Sequence, residues 1–242
     1  MRAAGQPTCG VRAGRLLLAG AGGMHDLGAT AAMPLSFDDR ADYNLANLAA
    51  AALAADALGI PASTLAAVLA EFGRDPRDNP GRLQHWRLGD AEVFLDYAHN
   101  PEGLQGLLHA AGADHRRGRL ALLLGHAGNR EDESLRAVAR VAARARPEWV
   151  VLKELPGYAR GRAAGEVAAV MRAQLLADGV GQTRIALCAD ELEAVRSILR
   201  WAGAGDLLLL PVHEQAVRER AVALLDALQA EGWRPGEPLP GV

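Results

Sequence analysis

From Glu92 onward the chain alternates short apolar runs with longer stretches of helical periodicity, and no other feature constrains its fold as much. The apolar runs lie at 92–97, 120–124, 149–152, 184–188 and 207–210, and the helical stretches at 101–111, 132–145, 165–176, 191–201 and 214–228. Strands separated by helices of about ten or more residues cannot pair as hairpins, so they form parallel βαβ units. Residues 82–88 add a strand joined to the first of these by a Gly89-Asp90 turn. The pattern predicts an α/β fold: a Rossmann-like, mostly parallel sheet with helices on both faces. Half the residues are hydrophobic but only 4% are aromatic, so the core is built from Leu, Val and Ala.

Upstream, Gly73-Arg74-Asp75-Pro76-Arg77-Asp78-Asn79-Pro80-Gly81 is rich in Pro, Gly and charge and marks a boundary. It divides the chain into domains 1–79 and 80–242. Residues 1–13 carry no periodicity, 15–19 read as a strand, and 33–37 as a second one. Helices are predicted at 42–58, with Asp42 as N-cap and Gly59 as stop, and at 61–72, opened by Pro61. With so little sheet in view, 1–79 is not expected to fold alone. The Pro- and Gly-rich tail from Gly232 reads as loosely ordered.

A formal net charge of −3 gives no electrostatic footprint for nucleic acid, and Lys153 is the only lysine. No apolar run approaches the ~20 residues of a membrane span, and no secretory pattern opens the chain, so a cytoplasmic protein without membrane contact is expected. Cys9 and Cys188 read as free thiols. His85, His109 and His115 have no companions at ligand spacing, so no metal site is expected on this chain.

In open α/β sheets ligands bind beyond the carboxyl ends of the strands, and the unusual polar residues collect there. One strand runs into Asp96-Tyr97-Ala98-His99-Asn100-Pro101 and another into Gly125-His126-Ala127-Gly128-Asn129-Arg130. Two more run into Lys153-Glu154 and Pro211-Val212-His213-Glu214. Each residue also has an ordinary reading. Asp96 would cap a helix, His99 and His213 would be surface residues, and Gly125 and Gly128 would only turn the chain.

The segment Asp96–Pro101 resembles the strand-end motif that opens the third domain of the Mur ligase superfamily. Asn79-Pro80-Gly81-Arg82-Leu83, Tyr43-Asn44-Leu45-Ala46-Asn47 and His213-Glu214 match further motifs in the right order. Lys153-Glu154, Tyr158–Arg162, Gly165-Glu166-Val167 and Asn129–Glu133 are most similar to cyanophycin synthetases. The resemblance implies an acid–amine ligase using ATP and magnesium, with ATP and an amino acid or peptide as substrates. It implies that 1–79 is a remnant of the central ATPase domain. Asn44 and Asn47 would meet adenine, and Arg82 and Asp96 the ribose and phosphates. Lys153, His99 and Arg130 would serve the reacting centre, and Asn100, Asn129, Arg160, Arg162 and His213 the substrate. Magnesium would be held mainly by the absent central domain, because no Gly-x-x-x-x-Gly-Lys-Ser/Thr loop occurs here. The chain is thus expected to be part of a longer or split ligase, inactive alone, with the amino-terminal part as partner and a homo-oligomer left open. The rival reading is a non-catalytic nucleotide- or amino-acid-binding module on the same fold.

Overall fold

The computed structural model of the chain describes residues 6–20 and 22–240. Two compact units emerge, Met1–Pro80 and Gly81–Val242.

The first unit has a sheet that the sequence does not advertise. Strands β1 (Thr8–Arg12), β2 (Arg15–Gly20) and β3 (Gly23–Ala29) pair antiparallel in that order. Ala13 and Gly14, both at positive φ (49° and 68°), make the tight β1–β2 turn. Helices α1 (Asp42–Ala57) and α2 (Ala62–Glu71) supply Leu45, Leu48, Ala52, Leu65 and Leu69 to a core with Leu16, Leu18 and Leu27. The expectation that this region lacks a sheet for its helices is therefore corrected. The strand expected at 33–37 is also corrected. Pro34–Ser36 is a turn of 3₁₀ helix, since Pro34 fixes φ for a first helical turn and cannot donate to a ladder. Asp42 is the first residue of α1 and Ala41 its cap, so the acid aids the helix end by charge and not by capping.

The second unit is a six-stranded sheet in the order β4-β5-β9-β6-β7-β8. Its strands are β4 (Gln84–Leu88), β5 (Ala91–Asp96), β6 (Leu120–Leu124), β7 (Trp149–Lys153), β8 (Ile185–Cys188) and β9 (Leu207–Pro211). Only β4 runs antiparallel, to β5; the other pairings are parallel. The helices are α3 (Pro101–Ala110), α4 (Asp132–Arg144), α5 (Glu166–Ala177), α6 (Glu191–Trp201) and α7 (Gln215–Ala230). Alternate strand residues Val93, Leu95, Ala121, Leu123, Val151, Leu208 and Leu210 pack with α6 and α7. The pleat turns the intervening buried residues, Leu122, Leu124, Val150 and Leu152 among them, to the other face with α3, α4 and α5. The tail is more ordered than its composition suggests. Trp233 is buried and its Nε1 donates to the Pro238 carbonyl at 3.2 Å.

This topology positions the rim. β9 sits between β5 and β6, but its following helix leaves to the opposite face from theirs. The β9–α7 loop therefore emerges in a crevice flanked by the β5–α3 and β6–α4 loops, a topological switch point.

Residues 73–83 form no helix or strand and offer Arg74, Arg77 and Arg82 to trypsin. Limited trypsin digestion is expected to cut there first and to leave two resistant pieces, since each unit has its own core. Mass spectrometry showing rapid loss of residues 6–74 while the second unit persists would contradict a self-sufficient first core.

Candidate functional site

The rim begins with the turn that opens the second unit. Gly81 and Leu83 both hold positive φ (73° and 47°). Two buried side chains keep this turn in place: Gln84 Oε1 accepts from Gly81 N at 2.8 Å, and Asp96 Oδ2 accepts from Leu83 N at 2.7 Å. Asp96 is thus no helix cap; that place belongs to Asn100, whose Oδ1 accepts from Gly103 N at 2.7 Å. Burial pushes the Asp96 carboxyl up, against the pull of the Leu83 N–H and the nearby Arg82 guanidinium.

Beside Asp96 an aromatic and imidazole cluster forms. The Tyr97 ring lies 5.1 Å from His99 and 5.6 Å from His213, and His213 lies 5.6 Å from His126, measured between centroids. His213 Nε2 is 2.9 Å from the Ala98 carbonyl, and His99 Nδ1 is 3.1 Å from the Tyr97 carbonyl. A carbonyl only accepts, so these nitrogens carry the protons. His126 is buried, and its pKa is pulled down to about 4, first by burial and then by Lys153, Arg130 and His99. His213 is held well below its ordinary value, first by burial, then by Lys153, with the Ala98 carbonyl opposing. Two guanidiniums flank the cluster, Arg82 at 5.0 Å and Arg218 at 5.5 Å from the Tyr97 centroid. Neither forms a salt bridge among the described residues.

Lys153 departs from its expected place on the rim. Its side chain is fully buried; Nζ donates to the Glu191 carboxylate and the Pro211 carbonyl. Gly125 makes the space, since a Cβ there would lie 2.5 Å from Lys153 Cγ. Arg162 is also committed to the protein itself. It donates to the Gly128 carbonyl at 2.9 Å and the Arg130 carbonyl at 2.7 Å, and pairs with Asp132 and Glu166. Arg162 thereby clamps two loops together. Gly128 N completes it by donating to the Tyr158 carbonyl at 2.8 Å.

Asn129, Arg130 and Arg160 are exposed, and Arg160 stands over the Tyr158 ring. Asn44 and Asn47 belong to the first unit. Asn44 is buried and donates to the Leu35 carbonyl at 2.9 Å, whereas Asn47 is exposed. The structure therefore gathers His99, Arg130 and Lys153 around His126, while Asp96 turns toward Leu83 and Arg82. His126, Glu191 and Arg218 were not among the sequence candidates. His126 lies in a rim loop visible in the sequence, but Glu191 reads as a helix-start acid and Arg218 as a helix-surface residue.

The glutamate ligase domain of the Mur ligases matches residues 81–211. The chain belongs to the Mur ligase family, as its carboxyl-terminal domain type. It is 29% identical over 194 residues to the cyanophycin synthetase of Crocosphaera subtropica, covering 80% of this chain and 21% of that enzyme. It is 30% identical to the UDP-N-acetylmuramoyl-L-alanyl-D-glutamate–2,6-diaminopimelate ligase of Synechococcus elongatus, over 69% of this chain and 32% of that one. The fold matches Mycobacterium tuberculosis folylpolyglutamate synthase, solved with ADP and AMPPCP, at a TM-score of 0.60 and 19% identity. That match covers 88% of this chain and 46% of the synthase. The chain spans about a fifth to a third of the length of these two curated relatives. No helix among the described residues is long and apolar enough to cross a membrane.

Two outcomes follow from this geometry. A Cβ at Gly128 would overlap the Ala159 carbonyl oxygen, whereas one at Gly157 meets nothing within 4 Å. Gly128→Ala is expected to cost about 1–3 kcal/mol in urea denaturation and Gly157→Ala under about 0.5 kcal/mol. The second concerns pH. The folded pKa of His126, about 4, lies below the 6.5 of a free imidazole, so the unfolded chain takes up the proton first. Its contribution is full above the unfolded pKa and lost as pH falls toward the folded one, about 3 kcal/mol in all. Urea denaturation at ~pH 7 and ~pH 4.5 should show this loss, and His126→Gln should reduce it.

Proposed function

We propose that this chain is the carboxyl-terminal portion of an ATP-dependent acid–amino acid ligase of the cyanophycin synthetase type. The observation that carries this reading is the convergence of Asp96, Tyr97 and His99 with Arg82 and His213 at the switch point of a Mur ligase domain. In a complete ligase of this kind, phosphoryl transfer from ATP makes a carboxylate electrophilic as an acyl phosphate, and an amine displaces the phosphate to form the amide.

The residues present fit a nucleotide. Two guanidiniums without salt-bridge partners beside an aromatic ring suit a polyanion attached to a sugar and heterocycle. Asp96 uses part of its acceptor capacity on Leu83 N and has lone pairs left for ribose hydroxyls. By the family resemblance, magnesium in a complete ligase would be held mainly by the central domain and by the nucleotide's own phosphates.

An attacking amine must lose a proton, and a neutral imidazole is the suitable acceptor. His213, with Nε2–H donating to Ala98, keeps Nδ1 unprotonated, and His99, oriented through Nδ1, presents Nε2. Arg130 and Arg160, both exposed, would meet carboxylates of the amino-acid substrate, and Asn129 and Asn100 would add hydrogen bonds.

Because the sequence holds no phosphate-binding loop, the purified chain is expected to release no phosphate from ATP with aspartate and arginine. In a ligase carrying this domain with such a loop, Asp96→Asn should raise KM for ATP about tenfold, the worth of one charged hydrogen bond. Magnesium-dependent phosphate release by the pure chain would overturn the assignment, as would an unchanged KM in that variant. Nucleotide binding without amide formation by the longer polypeptide would favour the non-catalytic module instead.

A further inference from the structure

We propose that Lys153 and Glu191 form a buried strut whose work is to position the His213 loop and aim its imidazole, making them positioning residues of the rim. Lys153 ends β7 and Glu191 begins α6, 38 residues apart in sequence. Together they reach the ends of three strands. Lys153 passes Gly125 at the end of β6 and donates to Pro211 at the end of β9. Glu191 accepts from His213 N at 2.7 Å through Oε1 and from Glu214 N at 2.9 Å through Oε2. Both oxygens of one carboxylate are thereby spent on the backbone that carries His213. That backbone in turn aims the ring at the Ala98 carbonyl, between Tyr97 and His126.

The strut also sets charge. The groups that act on His213 are Lys153 from β7, His126 from the β6–α4 loop and His99 from the β5–α3 loop. Of these Lys153 is the strongest, and it bears on His126 as well, together with Arg130. A cation sealed under two imidazoles opposes their protonation and keeps them proton acceptors. The Lys153 ammonium is itself lowered by burial, while the Glu191 carboxylate pulls it back. No solvent reaches Lys153 Nζ, so it takes no part as a direct substrate contact.

The functional meaning of a positioned His213 rests on the ligase reading, but the strut is tested without activity. NMR titration of histidine-labelled protein would follow His126 and His213 in the wild type and in Lys153→Met/Glu191→Gln. That pair removes both charges together, keeps their bulk, and leaves an amide oxygen for His213 N. Both midpoints are expected to rise by about one unit, and the His213 ring signals to move as its bond to Ala98 loosens. Unmoved midpoints in a folded double variant would overturn the proposal, whatever the ligase assays give. A second measurement uses the wild type alone. Lys153 is the only lysine, so reductive methylation can modify only it and the α-amino group. In the folded chain Lys153 is expected to resist while the α-amino group reacts, and to react once urea unfolds the protein. Methylation of Lys153 in the folded chain as fast as the α-amino group would overturn the strut even if the double variant failed to fold.

Discussion

Two opposite charges lie where the second unit admits no water. Removing an ammonium and a carboxylate from solvent is costly, and mutual attraction offsets that cost only when the remaining donors and acceptors are also satisfied. Here they are: Lys153 adds the Pro211 carbonyl, and Glu191 adds two backbone N–H groups. Hydrophobic side chains could fill the same volume, but they could not orient four chain segments at once. The pair therefore specifies a geometry. β7, α6, β9 and the glycine at the end of β6 all meet at one ion pair, and the candidate rim hangs from it.

That geometry separates two electrostatic environments on one edge. Around His126 and His213 a buried cation and low hydration favour neutral imidazoles. Around Tyr97, Arg82 and Arg218 supply positive charge and form no salt bridge among the described residues. A rim with a proton-accepting side and an anion-attracting side suits chemistry that joins an amine to a phosphate-activated acid. Asp96 stands at the border, bonded to the turn that brings Arg82 into place.

Much of the second unit was legible because β6, β7 and β9 are buried on both faces and read as unbroken apolar runs. The six strands and their helices fall within a few residues of their expected positions. The first unit hid its sheet. β1 and β3 carry Gly, His, Asp and Arg on exposed faces, and Thr8-Cys9-Gly10-Val11-Arg12 has too little alternation to register as a strand. The rim was legible in outline, since Asp96, His99, Arg130 and His213 all follow strand ends. The roles of Lys153 and Arg162 were not. A cation at a strand end looks ready for a ligand, and only the fold reveals that Glu191, or the carbonyls of Gly128 and Arg130, already occupy it.

The clamp made by Arg162 joins the loop after β6 to the loop after β7, with Gly128 pressed against Ala159 too closely for any side chain. Two segments some thirty residues apart in the chain thus behave as a single structural word. A change in one loop disturbs the support of the other, so the exposed Asn129, Arg130, Tyr158 and Arg160 stand on one shared scaffold. A chimera that borrowed one of these loops from a relative with different selectivity would import half a clamp, whereas exchanging both together would carry the whole surface across intact.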